Sequence, residues 1–294
     1  MPRITIAIPF HNEEQGLPAS LRSVFAQTFN DWELLLVDDG STDRSLQLAR
    51  SVQDARVRVI SDGRKRGLPA RLNQVVAEAR GELIARMDAD DVIHPDRLTR
   101  ELALLASDPA LDAVGTQVAY LLPNFEPAIA DIALPRTGSD VLARSGLPHA
   151  TMLGHRRFFQ RFPYDASLPR AEDRDLFCRA FGHARFAILP EPLYVIHPEV
   201  GNDFLRTYVA SAEQNRTIFR RHGPRLVGAY GTARAIAGSY AREGLYRAFG
   251  AAGKLSSLVS RRGRPATVSE RKLINEALEA SQSTMVPGLL AQRP

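Results

Sequence analysis

Four short apolar runs, each followed by a helix-like stretch, fill the first 90 or so residues and leave few folds open to this chain. The runs are residues 3–9, 32–38, 57–61 and 82–88, with helix candidates at 17–27, 44–53 and 68–79 between them. Leu17, Leu21, Val24 and Phe25 fall on one face of the first helix, and Leu72, Val75, Val76 and Ala79 on one face of the third. Strands that alternate with amphipathic helices pair in parallel, so the spacing predicts an α/β fold with an open, mostly parallel, doubly wound, Rossmann-like sheet.

Each run ends in a polar cluster: His11-Asn12-Glu13-Glu14, Asp38-Asp39-Gly40-Ser41, Asp62-Gly63 and Asp88-Ala89-Asp90-Asp91. In an open parallel sheet ligands bind beyond the carboxyl ends of the strands, so these clusters are expected along one rim. Later the pattern loosens. A helix is expected at 95–107, a strand at 111–121, an irregular connection at 123–135, and a short strand at 149–153. A helix at 172–180 and a strand at 186–189 follow, and from about residue 203 the chain reads as helical, with a basic break at 261–265. The expected division is a catalytic domain at 1–203 and a basic helical C-terminal extension at 204–294.

Charge follows the same division. Residues 1–200 hold 23 Lys and Arg against 27 Asp and Glu, whereas residues 201–294 hold 15 against 6. A basic extension suits an anionic membrane surface, an acidic acceptor or a protein partner. Nucleic acid is not expected, because the arginines are not interleaved with aromatic residues in a stacking pattern. No apolar run approaches the ~20 residues that span a bilayer, and the N-terminus reads as a strand rather than a leader. The expectation is a cytoplasmic protein, with peripheral attachment at the inner membrane face left to the basic tail. The single cysteine, Cys178, has no partner for an internal disulfide and is expected to be a buried thiol.

Three carboxylates within four positions, at Asp88, Asp90 and Asp91, carry the strongest chemical signal. Residues two apart in an extended segment point the same way, so Asp88 and Asp90 can converge on one Mg²⁺ or Mn²⁺, which takes one or two carboxylates together with phosphate oxygens. An acidic helix cap would use the same residues. Asp38 and Asp39 offer acceptors to a base N–H or to ribose hydroxyls, or else form a plain Asp-Gly turn. Phe10 and His11 supply rings for a base to stack on, with Asn12 and Glu13 as polar neighbours. Glu172 and Asp173 open a helix, where acids complement the dipole. If the fold carries them to the rim, one can take the proton of an attacking hydroxyl.

In order, the segments IAIPFHNEE, LLVDDGSTD, GLPARLNQVVAEARGELIARMDADD and AEDRDLFCR resemble the family-2 glycosyltransferases of the GT-A fold over about residues 3–200. The resemblance implies inverting transfer of one sugar from a nucleoside-diphosphate sugar, most often a UDP-sugar, to a hydroxyl of a glycan, lipid-linked or other acceptor. It implies that Asp173 is the general base and that Asp88 and Asp90 lie at the diphosphate and a divalent cation. The donor set it implies is Pro9, Phe10, His11, Glu13, Asp38, Asp39, Asn73, Asp88 and Ala89, with Asp39 at the base. His149 and Glu172 stand on the acceptor side. Phe10 and His11 depart from the family's usual small hydroxyl residue and tyrosine, and Leu72 stands where many relatives carry Arg, with Arg71 one position earlier. Neither a Q-x-x-R-W segment nor a membrane helix, features of the processive members, is present. Competing readings are a nucleotidyltransferase, disfavoured because residues 9–16 lack a basic, glycine-rich loop, and a non-catalytic sugar-nucleotide sensor or scaffold. A nicotinamide dehydrogenase is disfavoured by the missing G-x-G-x-x-G.

Overall fold

The computed structural model describes residues 1–121, 126–197, 201–253, 255 and 263–289, with backbone alone at 201–204. In chain order the elements are β1 (Ile4–Phe10), α1 (Leu17–Phe25), β2 (Trp32–Asp38), α2 (Ser45–Ser51), β3 (Val57–Ile60), α3 (Leu68–Glu78), β4 (Leu83–Arg86), β5 (Val92–Ile93) and α4 (Arg97–Ser107). There follow β6 (Ala113–Tyr120), β7 (Ala128–Ile129), α5 (Gly138–Arg144), a 3₁₀ turn (His149–Thr151), β8 (Leu153–His155), α6 (Arg156–Arg161), α7 (Glu172–Ala180), β9 (Phe186–Ile196), α8 (Gly201–Ala251), β10 (Arg264–Pro265) and α9 (Val268–Ser283).

The described strands form one sheet in the order β10-β7-β6-β8-β4-β1-β2-β3, with β9 lying against β6 and β5 against β9. Strands β3, β2, β1 and β4 run parallel, β8 is antiparallel to both β4 and β6, and β6 and β9 are parallel again. The doubly wound α/β sheet expected from the alternation is present, and it becomes mixed beyond β4. Every residue of β1 and β2 is buried, as befits parallel strands covered on both faces. Ile4, Ile6, Ile8 and Phe10 pack with α1, α2 and α4 on one face, while Ala7, Leu35 and Val37 pack with α3, α6 and α7 on the other.

Several elements differ from expectation for local reasons. The predicted strand at 149–153 is a 3₁₀ turn followed by β8, because the Pro148 carbonyl accepts from both the backbone N–H and the hydroxyl of Thr151. Strand β9 continues to Ile196 through Pro190 and Pro192. The two prolines fall where the β6 register shifts between Thr116 and Val118, so the ladder loses no donor it was using. Helix α4 starts at Arg97 rather than at Pro95, whose carbonyl accepts from Thr28 N. The short helices α5 and α6 lacked a readable period; α5 carries a capping box between Thr137 and Asp140. Residues 123–125 of the 123–135 connection and Arg261 and Arg262 of the basic break lie outside the described residues.

Helix α8 is two arms joined at Gly228, whose φ of 71° breaks the helical path. The arms fold back on each other: Tyr208 lies 4.1 Å from Tyr246 between ring centroids, and Arg216 reaches Glu243 at 2.7 Å. The first arm is bolted to α7 through Asp175, which accepts from Arg221 at 3.2 Å and pairs with His222 at 2.8 Å. Helix α9 buries Ile274 and Ala277 beside Val92, Val195 and Ala266, under the mixed half of the sheet. Among the described residues no helix is long and apolar enough to cross a membrane.

Candidate active site

Parallel pairing in register places the ends of β1, β2 and β4 side by side, with Phe10 opposite Asp38 and Ala7 opposite Arg86. The loops beyond them are stitched together. Asn12, in the left-handed region at φ 59°, donates its N–H to Ser41 Oγ at 3.1 Å and accepts from Thr42 N at 2.8 Å. Glu13 N donates to Ser45 Oγ at 2.7 Å, and Glu14 N to Asp43 at 3.1 Å. Gly16 brings the start of α1 against the aspartate cluster. A Cβ there would stand 2.7 Å from Asp90 Cα, so only glycine permits the approach.

The β2 loop spends its acids locally. Asp38 is buried and accepts from Ser41 N at 2.9 Å and Ser61 Oγ at 2.7 Å; burial would raise its carboxyl, but these hydrogen bonds win and hold it below the usual range. Asp39 accepts from Arg66 N at 2.7 Å, Gly67 N at 3.0 Å and the fully buried Arg71 Nε at 2.9 Å. Arg71 also donates to Asp62 at 2.7 Å and to the Arg64 carbonyl. His11 accepts at Nε2 from Lys65 Nζ at 2.9 Å, which leaves its buried Nδ1 without a partner.

The β4 loop is different. Arg86 and Asp88, two apart at the strand end, form a double salt bridge at 2.6 and 2.9 Å. Burial opposes the Arg86 charge, yet Asp88, Tyr194 and Glu172 around it hold the guanidinium above its ordinary range. Tyr194, from β9, accepts from Asp88 N at 2.9 Å. Partial desolvation and then the charge of Asp88 raise the Asp90 carboxyl, and Asp91, deeply buried, is raised well above the usual range by burial and by both neighbours. Glu13 is lifted to about 7 by burial, Asp90, Asp43 and Asp88.

Helix α7 starts at the same rim. Burial and then Asp173 raise the Glu172 carboxyl to about 7, and its surroundings also include Arg86, which opposes the rise, and Asp88, which adds to it. Glu172 Oε1 lies 3.7 Å from His149 Nδ1, and His149 Nε2 hydrogen-bonds Tyr164 Oη at 2.8 Å. Burial and the Arg86 charge hold the imidazole well below its ordinary range. Ala171, just before α7, sits at φ 61°, a conformation that costs a non-glycine residue of order 1 kcal/mol and clusters at functional sites.

Pro9, His11, Glu13, Asp39, Asp88 and Asp90 thus share one rim with His149, Glu172 and Asp173, whereas Ala89, expected at the donor, packs its side chain in the core beneath them. Phe10 does not present its ring at the rim. It continues the buried face of Ile4, Ile6 and Ile8, because side chains two apart on a strand point the same way, so base stacking by Phe10 is withdrawn. Asn73 is likewise diverted: its amide donates to Tyr164 O at 2.8 Å and accepts from Tyr164 N at 2.9 Å, so it holds Tyr164 rather than a nucleotide. Sequence reasoning missed Arg86, Tyr164 and Tyr194, and saw Arg71 only as an arginine one position from its expected place. Arg86 had a usable signal, standing two before Asp88 on the same side of the strand. The tyrosines had none, since their partners lie far away in sequence.

A divalent cation fits this rim as a shared ligand. Among the described residues no cluster of three or more His, Cys, Asp or Glu side chains is arranged to hold an ion alone. Asp88 and Asp90 are two carboxylates in an over-negative setting, with Glu13 lifted beside them, and Mg²⁺ or Mn²⁺ that brings its own phosphate oxygens needs no more than that.

The profile described as "Glycosyl transferase family 2" matches residues 5–167. The chain belongs to glycosyltransferase family 2. This glycosyltransferase is 30% identical over 234 residues to EpsE of Bacillus subtilis (strain 168), a match that spans 74% of this chain and 81% of EpsE. Among solved structures, S. aureus TarS 1–349 in complex with UDP-GlcNAc superposes with a TM-score of 0.61 at 18% identity, covering 96% of this chain and 82% of that 1–349 chain. The mannosyltransferase PcManGT from Pyrobaculum calidifontis, in complex with GDP-Man and Mn²⁺, gives 0.60 at 19% identity, covering 96% and 86%. At such identities the two structures speak for the fold, GT-A, which this family-2 glycosyltransferase shares.

Proposed function

We propose that this glycosyltransferase moves one sugar from a nucleoside-diphosphate sugar, with UDP-sugars the first donors to test, onto an acceptor hydroxyl with inversion at the anomeric carbon. The observation that carries the reading is the meeting of the α7 start with the end of β4 through the His149 turn: Glu172 Oε1 lies 3.7 Å from His149 Nδ1, and Arg86 N donates to the Met152 carbonyl at 2.8 Å. Asp39, His11 and Lys65 face the nucleoside flank, and Asp88 and Asp90 would hold a divalent cation on the donor diphosphate. When bound, that cation supplies positive charge to the departing phosphate oxygens.

Asp173 accepts the proton of the attacking hydroxyl, so the oxygen gains nucleophilic character as the bond to the sugar forms. Glu172, buried beside it, stays protonated over more of the pH range than an exposed acid and limits negative charge next to the base. Arg86 fixes Asp88 through its double salt bridge. Single addition is favoured by the missing Q-x-x-R-W segment. The proposed division remains a catalytic unit at 1–203 and a helical extension at 204–294, the latter a candidate for contact with a membrane surface or protein at a cytoplasmic site.

Asp173→Asn tests the assignment. Donor binding should persist while transfer falls by about 10² or more, the usual cost of a lost general base. Transfer at the wild-type rate removes Asp173 from the role.

A further inference from the structure

A groove of about 890 Å³ runs between α5 and the α8 hairpin, within the roughly 300–1,000 Å³ typical of ligand sites. Leu142 and Phe219, both buried, form its apolar floor, and Gly231, Ala235 and Gly238 keep the wall of the second α8 arm low. Arg234 and Arg242 rise from that arm, and among the described residues no Asp or Glu lines the groove. Glu243, next in sequence, is engaged by Arg216 and Arg247 at 2.7 and 2.8 Å. Beneath the floor a third arginine, Arg174, donates to the Leu142 carbonyl and stands 5.7 Å from the Phe219 ring centroid. Arg174 follows Asp173 on α7, so the two side chains leave the helix about 100° apart, and the groove lies one helix face away from the rim. On the same arm Tyr230 is 82% exposed and Tyr240 54%, large rings left in water beside arginines.

We propose that this groove is the acceptor's lipid site: it takes a hydrocarbon chain over Leu142 and Phe219 and a phosphate or diphosphate group against Arg234 and Arg242. Arg242 also hydrogen-bonds the Tyr208 side chain, but a phenol does not neutralise it. An uncharged lipid would cover two guanidinium charges with no anion to offset them, and a free phosphate would leave the apolar floor in water. A phosphorylated hydrocarbon satisfies both, and arginine pairs well with phosphate oxygens. Arg174 beneath the floor is the neighbour of Asp173 on α7, and delivery of the lipid's sugar to the rim rests on the proton-acceptor reading of Asp173, while the groove itself does not.

Farnesyl diphosphate is the probe, with inorganic diphosphate and farnesol as its two halves, each titrated into the full chain by calorimetry. The complete probe should bind about tenfold or more tightly than either half, a gain of about 1.4 kcal/mol per tenfold. Gly238→Phe fills the groove, because a Cβ at Gly238 meets no atom within 4 Å and the ring projects into open space. It should weaken the probe about tenfold or more, and the Arg234→Ala/Arg242→Ala pair should do the same, with thermal unfolding recorded for each variant. A probe no better than its halves, or bound equally by wild type and by a folded Gly238→Phe, overturns the site. Normal probe binding by an Asp173→Asn variant that has lost transfer supports groove and base together. Normal probe binding with transfer untouched by Asp173→Asn keeps the groove and removes the base.

Discussion

The two flanks of the rim treat the same kind of side chain in opposite ways. On the nucleoside flank, beyond β2 and β3, acids are wrapped in donors. Asp38 takes two serine contacts, Asp43 accepts from Ser45 and Glu14, and Asp39 holds two backbone N–H groups and Arg71. Hydrogen bonds outweigh desolvation there and keep Asp38 and Asp43 below the usual range. On the transfer flank, beyond β4 and at the start of α7, acids crowd one another around the buried Arg86, and Glu13, Asp90, Asp91 and Glu172 are all raised above the usual carboxylate range. The first flank is a finished piece of protein structure. The second carries surplus negative charge that a cation and a reacting hydroxyl would relieve.

The contrast can be broken most severely at Asp39. Removing its carboxylate in Asp39→Ala takes the acceptor from Arg66 N and Gly67 N and one of the two carboxylates from the fully buried Arg71, which keeps Asp62. At about 1–3 kcal/mol for each buried donor left unsatisfied, the loss is about 3 kcal/mol or more. Urea unfolding measures it, and a loss below about 1 kcal/mol would mean that the nucleoside flank is not held by this carboxylate. On the transfer flank Glu172→Gln should act in the other direction. The native carboxyl at about 7 binds its proton more tightly than the unfolded chain at its ordinary 4.5, so this contribution is complete below about pH 4.5 and is lost as pH rises through 7. The full loss is on the order of 3 kcal/mol. A neutral Gln escapes it, so the variant should unfold later than wild type above pH 7 and show a flatter stability profile; identical profiles would place the titrating charge elsewhere.

Relief of the transfer flank by ligands gives a slightly smaller effect. UDP with Mn²⁺ at about 100 times the dissociation constant should stabilise the fold by about 2.7 kcal/mol, and Asp90→Ala should remove the Mn²⁺-dependent part. Melting curves that coincide with and without Mn²⁺ would count against a cation on this rim. The smallest effect is expected at Asn73, which joins α3 to the acceptor side through Tyr164. Asn73→Ala gives up its paired hydrogen bonds at a cost of about 1–2 kcal/mol. It should lower kcat more than it raises the donor KM, because it loosens Tyr164 and His149 beside Glu172. A rise in donor KM alone would return Asn73 to the nucleotide.

Alternation of apolar runs with helical periods was enough to predict the doubly wound sheet, since a period of two or of 3.6 records which way each side chain points along its own element. It also put acids at strand ends, where the open edge of a parallel sheet leaves room for a ligand. Tertiary structure decided what each of those acids does. Asp38 and Asp90 are the same residue at comparable strand ends, yet one is sealed by Ser61 and the other is crowded by Asp88 and Glu13. Phe10 read as a rim ring until the Ile4, Ile6 and Ile8 face carried it into the core, and Asn73 read as a ligand contact until the backbone of Tyr164 closed on it. Burial and partnership depend on segments distant in the chain, and a local pattern carries no record of which distant segment will arrive.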